Sequence, residues 1–575
     1  MATLRGLDLT VIVLYMGAMA AVGLWFARRQ TSTDQYFVAG RSIPSWAMGI
    51  SIYATIISSI TFISYPGSAY FGNWNEMVPG FMVVGVLILV GLVIIPFFRH
   101  AVGMSAYEYF GKRFGSGVRG YSAVAFALGH FSKMGFVLFN LALTITAMTH
   151  FNIYSVMLVT GVVTIFYTVI GGMEAVIWTD VIQGFVKCIG TFACIGLLIY
   201  LIPGGAGGAW HLANEHHKFS LGKMDFNLAS DGNFWVMSLY GFFFYLQKYA
   251  ADQTLVQRYL VAKTDRDALK GVALGALLCV PAWMMFMLIG TLLWVYYQVS
   301  GEALPPEINK AEMVFPHFLV TRVPAGLAGL FMAALFSAAM SMLASDLNCL
   351  SVVGVEDGYR KLRPAATDRE RLTVGKLMVG VCGVVSVATG MLIAWKSNRP
   401  LLFYFNVTSA IAGGLAGLFL LAFLSPRANR QGAWAGIIAC LIFTAWALLT
   451  NGKQPAVDLG NWNFTLPGVL IGVIGHVVLL VTGLAASYLF AAPESGSREM
   501  TLWGWLEKRR GLAATVNLNV AAAGRRTDTA ALRDVNLDVA AAGRRTDTAA
   551  LRDVNLDVAA AGRRTDTAAL RDVKI

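Results

Sequence analysis

Charge is what this chain has least of. Of its 575 residues, 13% are Asp, Glu, Lys or Arg and 57% are hydrophobic, whereas a soluble protein carries about 25% charged residues. The mean hydropathy is +0.63. A chain this apolar has no water-soluble core large enough to hide its side chains, so it is read as a polytopic membrane protein. Cysteine is scarce too. The six, Cys188, Cys194, Cys279, Cys349, Cys382 and Cys440, lie in or beside apolar runs without CxxC spacing, which reads as packed thiols rather than disulfides or metal ligands. There is no GxxxxGK[ST] loop, no HExxH and no paired histidines inside the apolar segments. ATP-driven transport and membrane-embedded metal hydrolysis are therefore not expected.

About thirteen apolar segments are long enough to span a bilayer. Their approximate limits are 7–27, 46–70, 77–98, 120–147, 154–171, 175–202, 233–252, 270–298, 324–352, 374–395, 401–424, 431–450 and 464–490. The first ends at Arg28-Arg29, past the cleavage-like "AMA" at Ala18–Ala20, so it is read as a retained span rather than a signal peptide. Alternate loops, beginning after the first span, hold about 19 Lys and Arg, Arg258 among them, against about 8 in the opposite set. The basic side is expected to be cytoplasmic, which puts the N-terminus outside and the C-terminus inside. The +12 net charge is assigned to this topology, and no nucleic-acid partner follows from it.

After the last span the composition changes. "VNLNVAAAGRRTDTAALRD" begins at Val516 and recurs, almost unchanged, at Val535 and Val554. The repeats have no face able to bury a core, so residues 496–575 are expected to form a flexible or loosely helical cytoplasmic tail, with a partner-binding array as the alternative.

The most informative stretch is "SIYATIISSITFISYPGSAYFGNW", from Ser51 to Trp74. It carries Thr55, Ser58, Ser59, Thr61 and Ser64 and is interrupted by Pro66-Gly67. Irregular backbone inside a bilayer is tolerated only where it lines a cavity or is buried in protein. Carbonyls released there coordinate cations, as in the interrupted helices of secondary transporters. Hydroxyls in spans also serve helix packing. Intramembrane ionisable groups add to the transport reading: Lys133, Asp180, Asp252 and Asp346 stand out. Lys248 lies one turn before Asp252, the spacing of an ordinary i,i+4 pair. Ser337, Ser341 and Ser345 make one polar stripe that leads to Asp346. A carboxylate with several neutral oxygens suits a hard cation.

"DQYFVAGRSIPSWAMGIS", "GGMEAVIWTDVIQG", "DQTLVQRYLVAK", "ASDLNCLSVVGVEDGY" and "GGLAGLFLLAFLSPRANRQGAWAG" together resemble the sodium:solute symporter family, up to about residue 490. The resemblance implies an all-α LeuT-type fold with two inverted five-helix repeats. Residues 1–45 would hold the first helix and a cytoplasmic loop, 46–424 the ten-helix core, and 425–495 two additional helices. A second interruption is expected near 240–252, where Gly241 stands without a proline. The implied shared sodium position uses Ala54, Ile57, Ala338 and Ser341, with Met342 where a further serine is expected. A second sodium would involve Asp180, Ser341 and Ser345, and Asp346 is a further cation candidate. Ser58, Thr61 and Lys133 are the implied solute contacts, with Lys133 where sialic acid transporters carry arginine; Glu76, Tyr245 and Gln247 are weaker candidates.

The expectation is thus a secondary transporter in the bacterial cytoplasmic membrane, surrounded by lipid. One or two sodium ions would drive uptake of a small polar organic solute: a sugar, a sialic acid-like acid or another monocarboxylate. No obligate protein partner is implied. Proton coupling on the same fold, or a non-transporting sensor that keeps it, are the alternatives.

Overall fold

The computed structural model describes residues 6–510, apart from 231, 303, 306, 307, 309, 310, 397–413, 453, 454 and 494. The expected span 401–424 lies mostly outside the described residues, and the three tail repeats lie wholly outside them. Nine described helices are long and apolar enough to cross a membrane, and the bent pair Ser45–Ile56 and Ser59–Phe71 makes up to ten.

One of the nine is two spans. The helix Ile153–Leu201 contains Gly172 at φ 57, ψ −159, which is not helical. Tyr167 donates to the Met340 carbonyl and Lys187 donates to Ser341. A straight helix would hold those twenty residues about 30 Å apart, yet both reach adjacent residues of one neighbouring helix. The chain therefore reverses at Gly172, as the two segments 154–171 and 175–202 require. A Cβ there would stand 2.8 Å from the Gln30 side chain and 2.7 Å from Tyr36. Only glycine combines this backbone with so close an approach.

The first interrupted helix is bent by 59°, but not at Pro66-Gly67. The break falls at Ile57 and Ser58, whose backbones are extended, and Pro66 lies inside the helix Ser59–Phe71. Phe62 N–H resumes the helical ladder at the Ser58 carbonyl. Proline removes a single N–H, and helix packing absorbs that here: Gly290 lies so close to the Pro66 carbonyl that a Cβ would be 2.1 Å from it.

A second interruption separates Phe234–Ala250 from Gln253–Leu260 at Ala251 and Asp252, where the Asp252 side chain accepts from Thr254 N–H and caps the second piece. Gly241 is not at this break. It packs on Pro79, whose Cα would be 2.5 Å from an added Cβ.

Each interrupted helix begins a unit of the same order. The first continues with Asn75–Ala101, Ser116–Thr149 and the two halves of Ile153–Leu201; the second continues with Asp265–Ser300, Leu327–Leu362, Asp368–Trp395 and the partly described last span. The first unit makes five spans, an odd number, so the second begins on the opposite side of the membrane and runs inverted. The helix Leu327–Val353 runs through the centre, buried along nearly its whole length. Its alanines and serines let neighbouring backbones approach closely.

Outside the core, Arg430–Thr450 and Leu470–Leu489 pair through Gly432, Gly436 and Gly483. The start of the expected tail is docked. Arg113 donates to Ser497, Tyr109 donates to the Met500 carbonyl, and Trp505 meets Phe97 edge-on. A buried arginine and an aromatic cluster hold residues 497–510, whose mixed composition had placed them with the flexible segment.

Candidate cation and solute site

The break releases the carbonyls of Ala54 and Ile57, whose helical partners would have been the N–H groups of Ser58 and Thr61. Both carbonyls are taken by one side chain. Lys187 Nζ donates to the Ala54 carbonyl, to the Ile57 carbonyl at 3.0 Å and to Ser341 Oγ at 2.8 Å; Ser341 in turn donates to the Ala54 carbonyl at 2.8 Å. Lys187 and Ser341 are fully buried. Ala338 is buried on the same face of the central helix, one turn from Met342. Three of the four oxygens expected to ligate sodium, those of Ala54, Ile57 and Ser341, are therefore together, and a side-chain ammonium stands among them. As arranged, they do not fit a sodium ion at that position.

The neighbouring position is filled in the same way. Asp180 Oδ2 accepts from Arg258 at 3.0 Å, from Ser51 at 2.6 Å and from Thr55 at 3.4 Å. Arg258 also donates to Ser51, Thr55, Ser345 and the Thr254 carbonyl. Both ionic side chains are wholly buried. Arg258 is thus not the loop charge that its sequence neighbours suggest. It projects from the second interrupted helix into the core, where Asp180 compensates it.

A third polar network adjoins the second through Thr254, whose carbonyl accepts from Arg258 and whose hydroxyl donates to Asp346. Lys133 pairs with Asp346 at 2.7 Å, His130 reaches Asp346 at 3.0 Å and Asp252 at 3.5 Å, and Thr254 donates to Asp346 at 3.2 Å. Lys248 pairs with Asp252, as their i,i+4 spacing suggests. Lys133 therefore has an internal acid, although its own span carries none. Asp346 is engaged by Lys133, His130 and Thr254 rather than by the oxygens around Lys187.

The expected solute contacts are distributed differently. Among the described residues, the hydroxyls of Ser58, Thr61 and Tyr245 and the Gln247 amide have no hydrogen-bond partner. They sit on the two interrupted helices, and Tyr245 packs against Trp283 with ring centres 5.7 Å apart. Glu76 accepts from Ser68 at 2.8 Å.

Sequence reasoning missed Lys187 and His130. Lys187 was detectable: "DVIQGFVKCIG" puts a cation in an apolar run, seven residues after Asp180, by the same rule that singled out Lys133. His130, three residues before Lys133 and on the same helix face, is a weaker signal.

The family model of the sodium:solute symporter family matches residues 36–440. This chain belongs to that family. It is a sodium-coupled solute transporter and not an enzyme. The symporter is 32% identical over 487 residues to the sodium/sialic acid symporter NanT of Aliivibrio fischeri, covering 84% of this chain and 93% of that protein. It is 30% identical to the sodium-dependent multivitamin transporter of Oryctolagus cuniculus, over 87% of this chain and 79% of that protein. Its fold matches a substrate-bound outward-open structure of a Na+-coupled sialic acid symporter with a TM-score of 0.76 at 30% identity, over 85% of this chain and 99% of that one. A closed structure of a nucleobase-cation-symport-1 family transporter matches with a TM-score of 0.53 at 15% identity, over 81% and 97% of the two chains. The symporter thus has the LeuT-type architecture.

Proposed function

We propose that this symporter takes up a small polar organic solute rich in hydroxyl or carboxylate groups, by alternating access across a bacterial cytoplasmic membrane, with its N-terminus outside and its C-terminus in the cytoplasm. Sugars, sialic acid-like acids and other monocarboxylates are the classes that fit. One observation carries the reading: Ser58, Thr61, Tyr245 and Gln247 place unpartnered hydrogen-bonding groups on the two interrupted helices. None of these polar atoms is sealed inside the protein, so a polar solute can reach them and supply the partners that the protein does not. The aromatic faces of Tyr245 and Trp283 suit the apolar face of a sugar ring. Lys133 contributes less directly, because a solute carboxylate has to compete with Asp346 for its ammonium.

The relatives named as sialic acid symporters support the acid class, and the sodium/glucose cotransporter 2 of Rattus norvegicus, 30% identical, supports the sugar class. Uptake into proteoliposomes tests the reading, with sugars, sialic acids and monocarboxylates offered in turn and sodium and proton gradients imposed separately. Sodium-driven accumulation of one class is expected. Accumulation driven by the proton gradient alone would favour the proton-coupled alternative. No accumulation under either gradient would remove the transport reading.

A further inference from the structure

Three features around the first break are unexplained one at a time. Lys187 carries an ammonium into the middle of a span, Arg258 carries a guanidinium to Asp180, and a buried Met342 follows Ser341 where a further serine is expected. We propose that the Lys187 ammonium is a built-in occupant of the cation position formed by Ala54, Ile57 and Ser341, with Arg258 filling the neighbouring position, so that a sodium ion enters the first position only in place of Lys187. The proposal rests on the transporter reading only for the identification of this position as a coupling site.

The donor count is the first argument. A lysine ammonium has three hydrogens and no acceptor. The position supplies three acceptors, two carbonyls and one hydroxyl, and Lys187 reaches all three. A bare cation needs oxygens on every side and gains nothing from a thioether, which is a soft ligand. An ammonium tethered from one side needs no fourth oxygen, so Met342 costs the site nothing.

Charge is the second argument. Lys187, Arg258 and Asp180 are all wholly buried. One carboxylate therefore already faces two fixed cations. A third positive charge in the same low-dielectric cluster would be repelled by both. The third argument is connectivity. Lys187 comes from the Ile153–Leu201 helix and bridges the first interrupted helix to the central helix, and Arg258 joins Ser51 and Thr55 to Ser345. The chain's own cations thus tie together the elements that a bound ion at these oxygens would tie.

The test uses the purified full chain in lipid nanodiscs. Thermal stability is titrated with sodium chloride against N-methyl-D-glucamine chloride at constant ionic strength. Wild type, Lys187→Ala, Lys187→Gln and the double variant Lys187→Ala, Ser341→Ala are compared. We expect Lys187→Ala to be destabilised without sodium and restored by it, with a half-saturating sodium concentration at least tenfold below that of wild type. The double variant should lose the gained response, which ties it to this position. If Lys187→Ala does not fold, Lys187→Gln keeps the side-chain bulk without the charge and should show the same gain.

Equal half-saturation in wild type and the Lys187 variants would overturn the proposal, as would no sodium response in any of them. Proteoliposome uptake is read separately. A transporter that accumulates solute but whose sodium titration ignores Lys187 refutes the proposal and leaves the transport reading standing. Absent uptake combined with the predicted binding shift does the reverse.

Discussion

Asp180 and Arg258 show how the meaning of a residue depends on its partner. An aspartate in an apolar run reads as a cation ligand, and here its cation is covalently part of the chain. Removing one member of a buried pair leaves the other charge uncompensated, which costs about 3–5 kcal/mol. Asp180→Asn and Arg258→Leu should therefore each lower the melting temperature sharply. The double variant should recover part of the loss, since replacing both charges is far cheaper than breaking one pair. Melting curves of the two singles and the double decide it. Strictly additive losses would mean that the pair is not energetically coupled. Lys133 belongs to the same lesson. Its need for an acid was legible, but the acid is Asp346 on the central helix, and no pattern within its own span announces that.

Among the helices, the contrast between Pro66 and Gly290 separates sequence punctuation from packing. Pro66 sits inside a helix whose break lies eight residues earlier, at Ser58. Pro66→Ala restores an N–H where helical geometry already holds, so stability should stay equal or rise, given the roughly 3 kcal/mol disadvantage of proline in helix interiors. Gly290→Ala should be far worse, because the new methyl would collide with the Pro66 carbonyl, and overpacking of this kind costs about 1–3 kcal/mol. Thermal melts and size-exclusion profiles of both variants check this, and equal tolerance of the two would refute the packing argument.

The far end of the same helix offers a pH test. Lys218 donates to the carbonyls of Tyr70 and Gly72, both at 2.7 Å, and lies over the Trp294 ring. Burial pushes its ammonium down to about 8 from the ordinary 10.5. The unfolded chain then binds more protons than the folded one between about pH 8 and 10.5, so this group makes stability rise with pH across that window. Below it both states are protonated and the contribution is flat. The increment should vanish in Lys218→Met when melting temperature is followed against pH. An unchanged profile in that variant would assign the effect to another group.

At the scale of the molecule, the docked segment 497–510 marks where the membrane bundle ends. Arg113 is buried and donates to the Ala422 and Ser425 carbonyls as well as to Ser497. Truncation after Arg510 should leave both stability and uptake near wild type. Truncation before Ser497 should lower the melting temperature, because Arg113 loses a partner and Phe97 and Tyr109 lose their cover; a hydrogen bond to a charged group is worth about 1.5–3 kcal/mol. If the longer truncation is as stable as the shorter one, the docked segment contributes nothing to the bundle.

Apolar run length, turn signals and clustered hydroxyls were enough to place the long apolar helices that the structure describes, the first interrupted helix and the polar face of the central helix, because they depend on local composition and on the cost of bare backbone in lipid. Ser58, Thr61, Ser341 and Ser345 were legible for that reason. The exact break was not, since it depends on which carbonyls find partners across the bundle rather than on where a proline falls. The pairings were not legible either. Lys187 with Ala54, Ile57 and Ser341, Arg258 with Asp180, and Lys133 with Asp346 join residues 78 to 213 positions apart. Local sequence shows that a buried charge needs a partner; only the folded arrangement of helices brings a particular one within reach.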